Sequence, residues 1–263
     1  MEQTLASHNL GNDSDFIKKS LFTNNDYFSI TTLYSKSQGY VSGNKNLFAN
    51  MDYTPLTKFI LNESLKGTPL IKLGHGDLKV MILAGVHGNE LPPQNAALML
   101  VNKLRNLNLN GTVYIIPFAA PEATMYNIRN YNGQDINRTS MIKGSLGNLI
   151  IDKIKDLGIS YVADFHSTAP NANPGKEGVF CTIKPSPKSF DIASFISEDT
   201  NSSIINYNNA GAMFKGAIED ECNLIGIPAV TCEVISTIGY LSLGSTKRSL
   251  NQMISFLKYC NIL

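Results

Sequence analysis

The sequence predicts an α/β fold: a mixed, largely parallel sheet with helices on both faces. Three observations lead there. Apolar, β-branched runs of strand length recur at residues 78–84, 111–118, 161–165 and 226–234. Segments with apolar residues at helical spacing lie between them, and strands alternating with helices build such a sheet. With 263 residues, the chain is long enough to bury one substantial core of this class.

The elements follow in order. Residues 1–50 are rich in Asn, Ser, Asp and Tyr, with weak periodicity. They are expected to form an N-terminal extension: a partly ordered segment, a small helix laid on the core, or a cap over a cleft. Residues 51–263 are expected to form one globular domain. Residues 69–73 and 78–84 read as two strands flanking a Gly-His-Gly-Asp turn. Residues 89–104 carry apolar residues at helical spacing and read as a helix, with Pro92 and Pro93 tolerated in its first turn. Residues 111–118 are a strand, 145–157 a helix, and 161–165 and 179–183 two more strands. Helices are expected over 190–200 and 213–224, then a strand over 226–234. A closing helix over 245–259 carries an apolar stripe of Leu250, Met253, Ile254 and Leu257, which reads as core packing.

Chemistry concentrates where strands end. Met81-Ile-Leu-Ala-Gly-Val-His-Gly-Asn-Glu90 reads as a buried strand that stops at a glycine and delivers His87 and Glu90. Loops beyond strand ends in open α/β sheets are where ligands usually bind. An imidazole and a carboxylate three residues apart can reach one zinc ion from a single turn. A lone pair of this kind is common by chance, and a lone histidine is more often structural. Ser160-Tyr-Val-Ala-Asp-Phe-His166 repeats the arrangement, however, and His, Glu and His make a three-ligand set with one open position. Only four histidines are present; His8 lies in a polar stretch and His75 in a turn. The apolar strand ending at Glu233 supplies a carboxylate placed to act as general base on an attacking water. Between these strands, Gly133-Gln-Asp-Ile-Asn137-Arg138 sets an amide beside a guanidinium, with Arg129 nine residues earlier. Arginine suits bidentate recognition of a carboxylate and stabilisation of an oxyanion.

The order His-x-x-Glu, Asp-x-Asn-Arg, strand-end His and strand-end Glu resembles the zinc carboxypeptidase superfamily. Carboxypeptidase A, murein-peptide amidases and the succinylglutamate desuccinylase/aspartoacylase enzymes belong to it. The resemblance runs from about Leu65 to the C-terminus and includes Tyr207-Asn-Asn-Ala-Gly211, which is similar to the superfamily's tyrosine-bearing loop. It implies one zinc ion on His87, Glu90 and His166, with Glu233 as base, in a catalytic domain over residues 51–263. It further implies that Arg129 polarises the scissile carbonyl, that Asn137 and Arg138 hold a substrate carboxylate, and that Tyr207 closes over the substrate. Thr139 and Ser140 depart from the pattern, which often has an aromatic and a proline after Asn-Arg. The Gly85-Val-His-Gly-Asn-Glu90 start is also similar to the desuccinylase branch. Aspartoacylase-like enzymes carry a further C-terminal β-rich domain, and thirty residues after Glu233 leave no room for one. An open cleft is therefore expected.

The implied activity is zinc-dependent hydrolysis of a peptide or isopeptide amide bond near a free carboxylate. Two alternatives stand beside it: deacylation of an N-acyl amino acid, and a catalytically silent relative that binds a peptide. The substrate is expected to be a small peptide or acylated amino acid. Lys and Arg number 22 against 21 Asp and Glu, a net charge of +1, so no electrostatic reason exists to expect nucleic acid. No apolar stretch approaches membrane-spanning length, and the first residues do not read as a signal peptide, so cytoplasmic location is the expectation. The four cysteines show no metal-type pairing, and Cys232 and Cys260 read as buried thiols.

Overall fold

The computed structural model describes residues 27–263. Its strands are β1 (Phe28–Tyr34), β2 (Thr68–Gly74), β3 (Lys79–Ala84), β4 (Thr112–Ile116), β5 (Tyr161–Thr168), β6 (Gly178–Lys184), β7 (Ser203–Asn209) and β8 (Ala229–Ile235). They form one eight-stranded sheet in the order β1-β2-β4-β3-β5-β8-β6-β7. The four central strands, β4, β3, β5 and β8, run parallel. They are the near-continuous apolar runs, because a strand covered on both faces has no side left for polar residues. Antiparallel pairings join β1 to β2, β2 to β4 and β6 to β8, so the sheet is mixed, with its parallel part at the centre.

The helices are α1 (Lys45–Phe48), α2 (Pro55–Ser64), α3 (Leu91–Leu104), α4 (Pro121–Tyr126), α5 (Leu146–Leu157), α6 (Lys188–Thr200), α7 (Ile218–Leu224) and α8 (Ser245–Tyr259). Alternation along the strands sorts the core into two layers. Val80, Ile82, Ala163, Phe165, Val230 and Cys232 face a layer built from α2, α3, α6 and α8. Met81, Leu83, Val162 and Ala229 face the opposite layer, where Ile150 and Ile154 of α5 and Ile218 and Cys222 of α7 pack. Met253 and Leu257 of the expected stripe are buried in the first layer, with Leu250 and Ile254 packed against it. All four cysteines are buried and unpaired.

Local chemistry explains several boundaries. Pro92 and Pro93 do sit in the first turn of α3. Ser145 caps α5 by accepting from the Asn148 amide, and Gly158 ends it in the left-handed conformation.

Three expectations need correction. The helix expected over 213–224 begins only at Ile218. Gly216 has a φ of +83°, and its carbonyl accepts from the Ser140 amide, so this stretch is tied to the Asn-Arg segment instead of coiling. Residues 207–209, the start of the stretch read as a tyrosine-bearing loop, instead lie in the edge strand β7. Of the stretch assigned to an extension, residues 28–34 pair with β2 as the other edge, and 45–48 form α1. Residues 1–26 of that stretch, including His8, lie outside the described residues. No helix among the described residues is long and apolar enough to cross a membrane.

Candidate metal centre and its surroundings

The centre sits beyond β3 and on one face of β5 and β8. In these adjacent parallel strands, His166 lies directly opposite Glu233, and Asp164 opposite Thr231. Residues two apart on a strand share a face, so Asp164 and His166 point together, and in-register Glu233 points with them. Both His166 and Glu233 lie inside their strands, not past the ends.

His87 and Glu90 arrive on the turn after β3, closed by the Glu90 amide donating to the His87 carbonyl at 3.2 Å. Gln94 of α3 fixes this turn from below. Its Nε2 lies within hydrogen-bond reach of the carbonyls of His87, Gly88 and Glu90, at 3.3, 3.1 and 3.0 Å. Thr124 Oγ1 in turn donates to Gln94 Oε1 at 3.0 Å. Gly88 permits the approach to α4: a Cβ there would lie 2.2 Å from the Ala123 carbonyl carbon.

Three side chains then converge. His87 Nδ1 lies 2.8 Å from Glu90 Oε1, His166 Nδ1 lies 2.8 Å from Glu90 Oε2, and the two Nδ1 atoms are 3.1 Å apart. All three residues are buried, and one ligand atom from each falls within 4.8 Å of the others. Each imidazole is held from behind by a carboxylate: His87 Nε2 on Asp135 Oδ1 at 2.9 Å, His166 Nε2 on Asp164 Oδ2 at 2.8 Å. Donation through Nε2 leaves Nδ1 of both rings as acceptors aimed at one point. That is the carboxylate–histidine–metal pattern, and the N, N, O donor set suits zinc.

The electrostatics agree. Burial opposes charge on Glu90, but the charges of His87 and His166 outweigh it and hold the carboxyl well below the usual range. Burial likewise opposes charge on His166, yet Asp164 and Glu90 raise its pKa well above the ordinary value. Two carboxylates facing one buried imidazole favour positive charge at this point. Asp135 is also held low, against its burial, by His87 and Arg129.

Glu233 is the contrasting carboxylate. Its Oε2 is buried and without a hydrogen-bond partner. Burial, then the charge of Glu90, pushes its pKa up to about 8. A carboxylate so placed favours accepting a proton.

The structure brings His87, Glu90, His166, Glu233, Arg129, Asn137 and Arg138 to one cavity of about 140 Å³. Arg129 forks onto Asp135 Oδ2 through Nε and Nη2, at 3.2 and 3.0 Å, and reaches Glu90 Oε1 through Nη1 at 3.1 Å. Asn137 is turned inward: its Nδ2 lies 3.3 Å from Asp164 Oδ2 and 3.1 Å from His166 Nε2, and its Oδ1 accepts from the Ile218 amide at 3.1 Å. The Arg138 guanidinium lies 5.0 Å from the Phe214 ring centroid. Tyr207 does not line the cavity. It stands on β7, stacked on Phe180 at 6.1 Å with Phe214 edge-on at 5.7 Å. As part of a paired strand it is not on a loop that could swing closed, which corrects the role drawn from the resemblance.

Sequence reasoning gave no role to Asp135, Asp164, Gln94 or Glu219. Asp164 was findable, since it precedes His166 by two on a strand. Asp135 lies within the Asp-x-Asn-Arg motif. Gln94 and Glu219 meet the site only through the tertiary fold and carry no local signal.

A model of the succinylglutamate desuccinylase/aspartoacylase catalytic domain matches residues 77–234, more than half of the 263 residues. Among solved structures, an aspartoacylase family protein from Mesorhizobium loti is 22% identical, with a TM-score of 0.55, covering 72% of this chain and 61% of that one. A succinylglutamate desuccinylase/aspartoacylase from Rhodobacter sphaeroides is 18% identical, with a TM-score of 0.60, covering 77% and 62%. A metallo-carboxypeptidase from Burkholderia cenocepacia is 13% identical, with a TM-score of 0.60, covering 96% and 69%. At these identities the likeness is one of fold. The chain spans about three fifths of the length of the first two. A search of curated proteins finds no match.

Proposed function

This chain belongs to the succinylglutamate desuccinylase/aspartoacylase family, and on that premise we propose that it is a zinc-dependent hydrolase of a peptide or isopeptide amide bond near a free carboxylate. One observation carries the reading. The buried, unpartnered Oε2 of Glu233 belongs to the same cavity as the converging His87, Glu90 and His166. A silent binding relative has no use for a carboxylate desolvated in this way.

His87, Glu90 and His166 would hold the ion, which when bound supplies Lewis-acid polarisation and water activation. Glu233 takes the proton from the attacking water and passes it to the departing amine. Arg129, already beside Glu90, offers guanidinium protons to the developing oxyanion. Arg138 takes the substrate carboxylate, for which its planar fork is suited. Asn137, with both ends of its amide engaged, holds Asp164 and the start of α7 in place, so its contribution is positioning.

A second reading, deacylation of an N-acyl amino acid, is favoured by the family match and by the cavity of about 140 Å³. That is small against the roughly 300–1,000 Å³ of typical small-molecule sites. Product analysis separates the two. Zinc-loaded protein is incubated with peptides, isopeptides, N-acetylaspartate and N-succinylglutamate, and catalytic efficiencies are compared. Faster cleavage of peptides or isopeptides supports the proposal, and faster deacylation of the small acyl amino acids replaces it.

A further inference from the structure

Glu219 is a buried acid for which the reaction above has no use. It is only 4% exposed, yet it lines the same cavity as His87, Glu90 and Arg138. Its Oε1 accepts from Asn223 Nδ2 at 2.9 Å. Among the described residues no Lys, Arg or His forms an ion pair with it. Burial, then the like charges of Asp220 and Asp164, raise its pKa well above the ordinary value. A carboxylate buried among carboxylates with a single amide donor is costly to keep. The same cavity is also lined by Phe180, Phe214, Ala217 and Thr231, whose side chains carry no charge.

We propose that Glu219 makes this part of the cavity a subsite for an amine-bearing substrate side chain, whose ammonium group pairs with the Glu219 carboxylate. The proposal deepens the amide-hydrolase reading and rests on it for treating the cavity as the substrate site. A cation is the ligand that reverses the excess of negative charge, and an aliphatic stem suits the uncharged walls. Arg138, on the same cavity, supplies the opposite charge for the carboxylate of the same molecule. An acidic side chain or acyl group would instead meet like charge.

A purely structural role is the competing account. Asn223 also holds β8, donating to the Ala229 carbonyl and accepting from its amide, both at 3.0 Å, so Glu219 could serve only as its brace. Glu219→Gln separates the two, because glutamine still accepts from Asn223 but carries no charge. Calorimetry measures free lysine and free norleucine binding to the zinc-loaded full chain and to this variant. Wild type should bind lysine at least about tenfold tighter than norleucine, as a charge-assisted hydrogen bond provides. In Glu219→Gln that ratio should fall to near one, with norleucine affinity unchanged. A wild-type ratio near one, a ratio that survives in the variant, or no binding of either amino acid overturns the proposal. The wild-type ratio decides by itself if the variant does not fold. Binding is read without turnover, so hydrolysis without lysine preference removes the subsite alone, and lysine preference without any hydrolysis removes the enzymatic reading alone.

Discussion

Glu233→Gln should raise stability and abolish activity in the same molecule. Burial, then the charge of Glu90, lifts the Glu233 pKa from the ordinary 4.5 to about 8. A group raised in the folded state contributes stability that is full below its unfolded pKa and is lost as pH climbs towards the folded one. At pH 7 the metal-free protein is about 2.5 pH units into that window, and at about 1.4 kcal/mol per unit the loss is about 3 kcal/mol. Glutamine does not titrate and escapes it. Urea unfolding in chelator should therefore show metal-free Glu233→Gln close to wild type at pH 4.5 and about 3 kcal/mol more stable at pH 7. Turnover by the zinc-loaded variant should fall by orders of magnitude with zinc still bound, since size and polarity are kept and only the proton acceptor is gone. A stability difference that does not grow between pH 4.5 and 7, or near-normal turnover, would refute the argument.

Four further outcomes are expected. His166→Ala should lose stoichiometric zinc in metal analysis, because it removes one of three converging ligands. Asp164→Asn should weaken zinc affinity about 10–100-fold in a chelator competition, since Asp164 orients His166 through its 2.8 Å contact. Gly88→Ala should cost about 3 kcal/mol in denaturant unfolding, because the new Cβ would lie 2.2 Å from backbone of Ala123 and displace the ligand turn. Arg138→Lys should lower the catalytic efficiency on a substrate with a free carboxylate far more than on the same substrate capped as an amide, because an ammonium cannot replace the planar fork.

The central strands were legible because burial on both faces leaves an apolar run that can be read without its neighbours. The edges were not. β7, Ser203-Ile-Ile-Asn-Tyr-Asn-Asn, alternates partly buried with exposed residues, and its polar half resembles a loop until β6 is beside it. β1 likewise is recognisable only from its pairing with β2. The three candidate ligands and the proposed base announce themselves because each ends, or nearly ends, an apolar run. What holds them is less visible: Gln94 reaches the ligand turn from one helical turn into α3, and Glu219 reaches the cavity from a short helix whose start is set by Asn137.

Four of the site's carboxylates, Glu90, Asp135, Glu233 and Glu219, meet two opposite fates, and their surroundings sort them. Glu90 and Asp135 each face an imidazole and the Arg129 guanidinium, and both are held ionised against their own burial. For Glu233 and Glu219, desolvation and then a neighbouring carboxylate, Glu90 for the first and Asp220 for the second, push both towards the neutral form. Environments that drive like groups apart are what separate a ligand from a base. Position separates Glu233 from Glu219. Glu233 sits in register beside His166, where the ion's charge would ease its ionisation and ready it to take a proton. Glu219 sits on α7, braced by Asn223 and with Asp220 next to it, so the cation that relieves it has to arrive with the substrate.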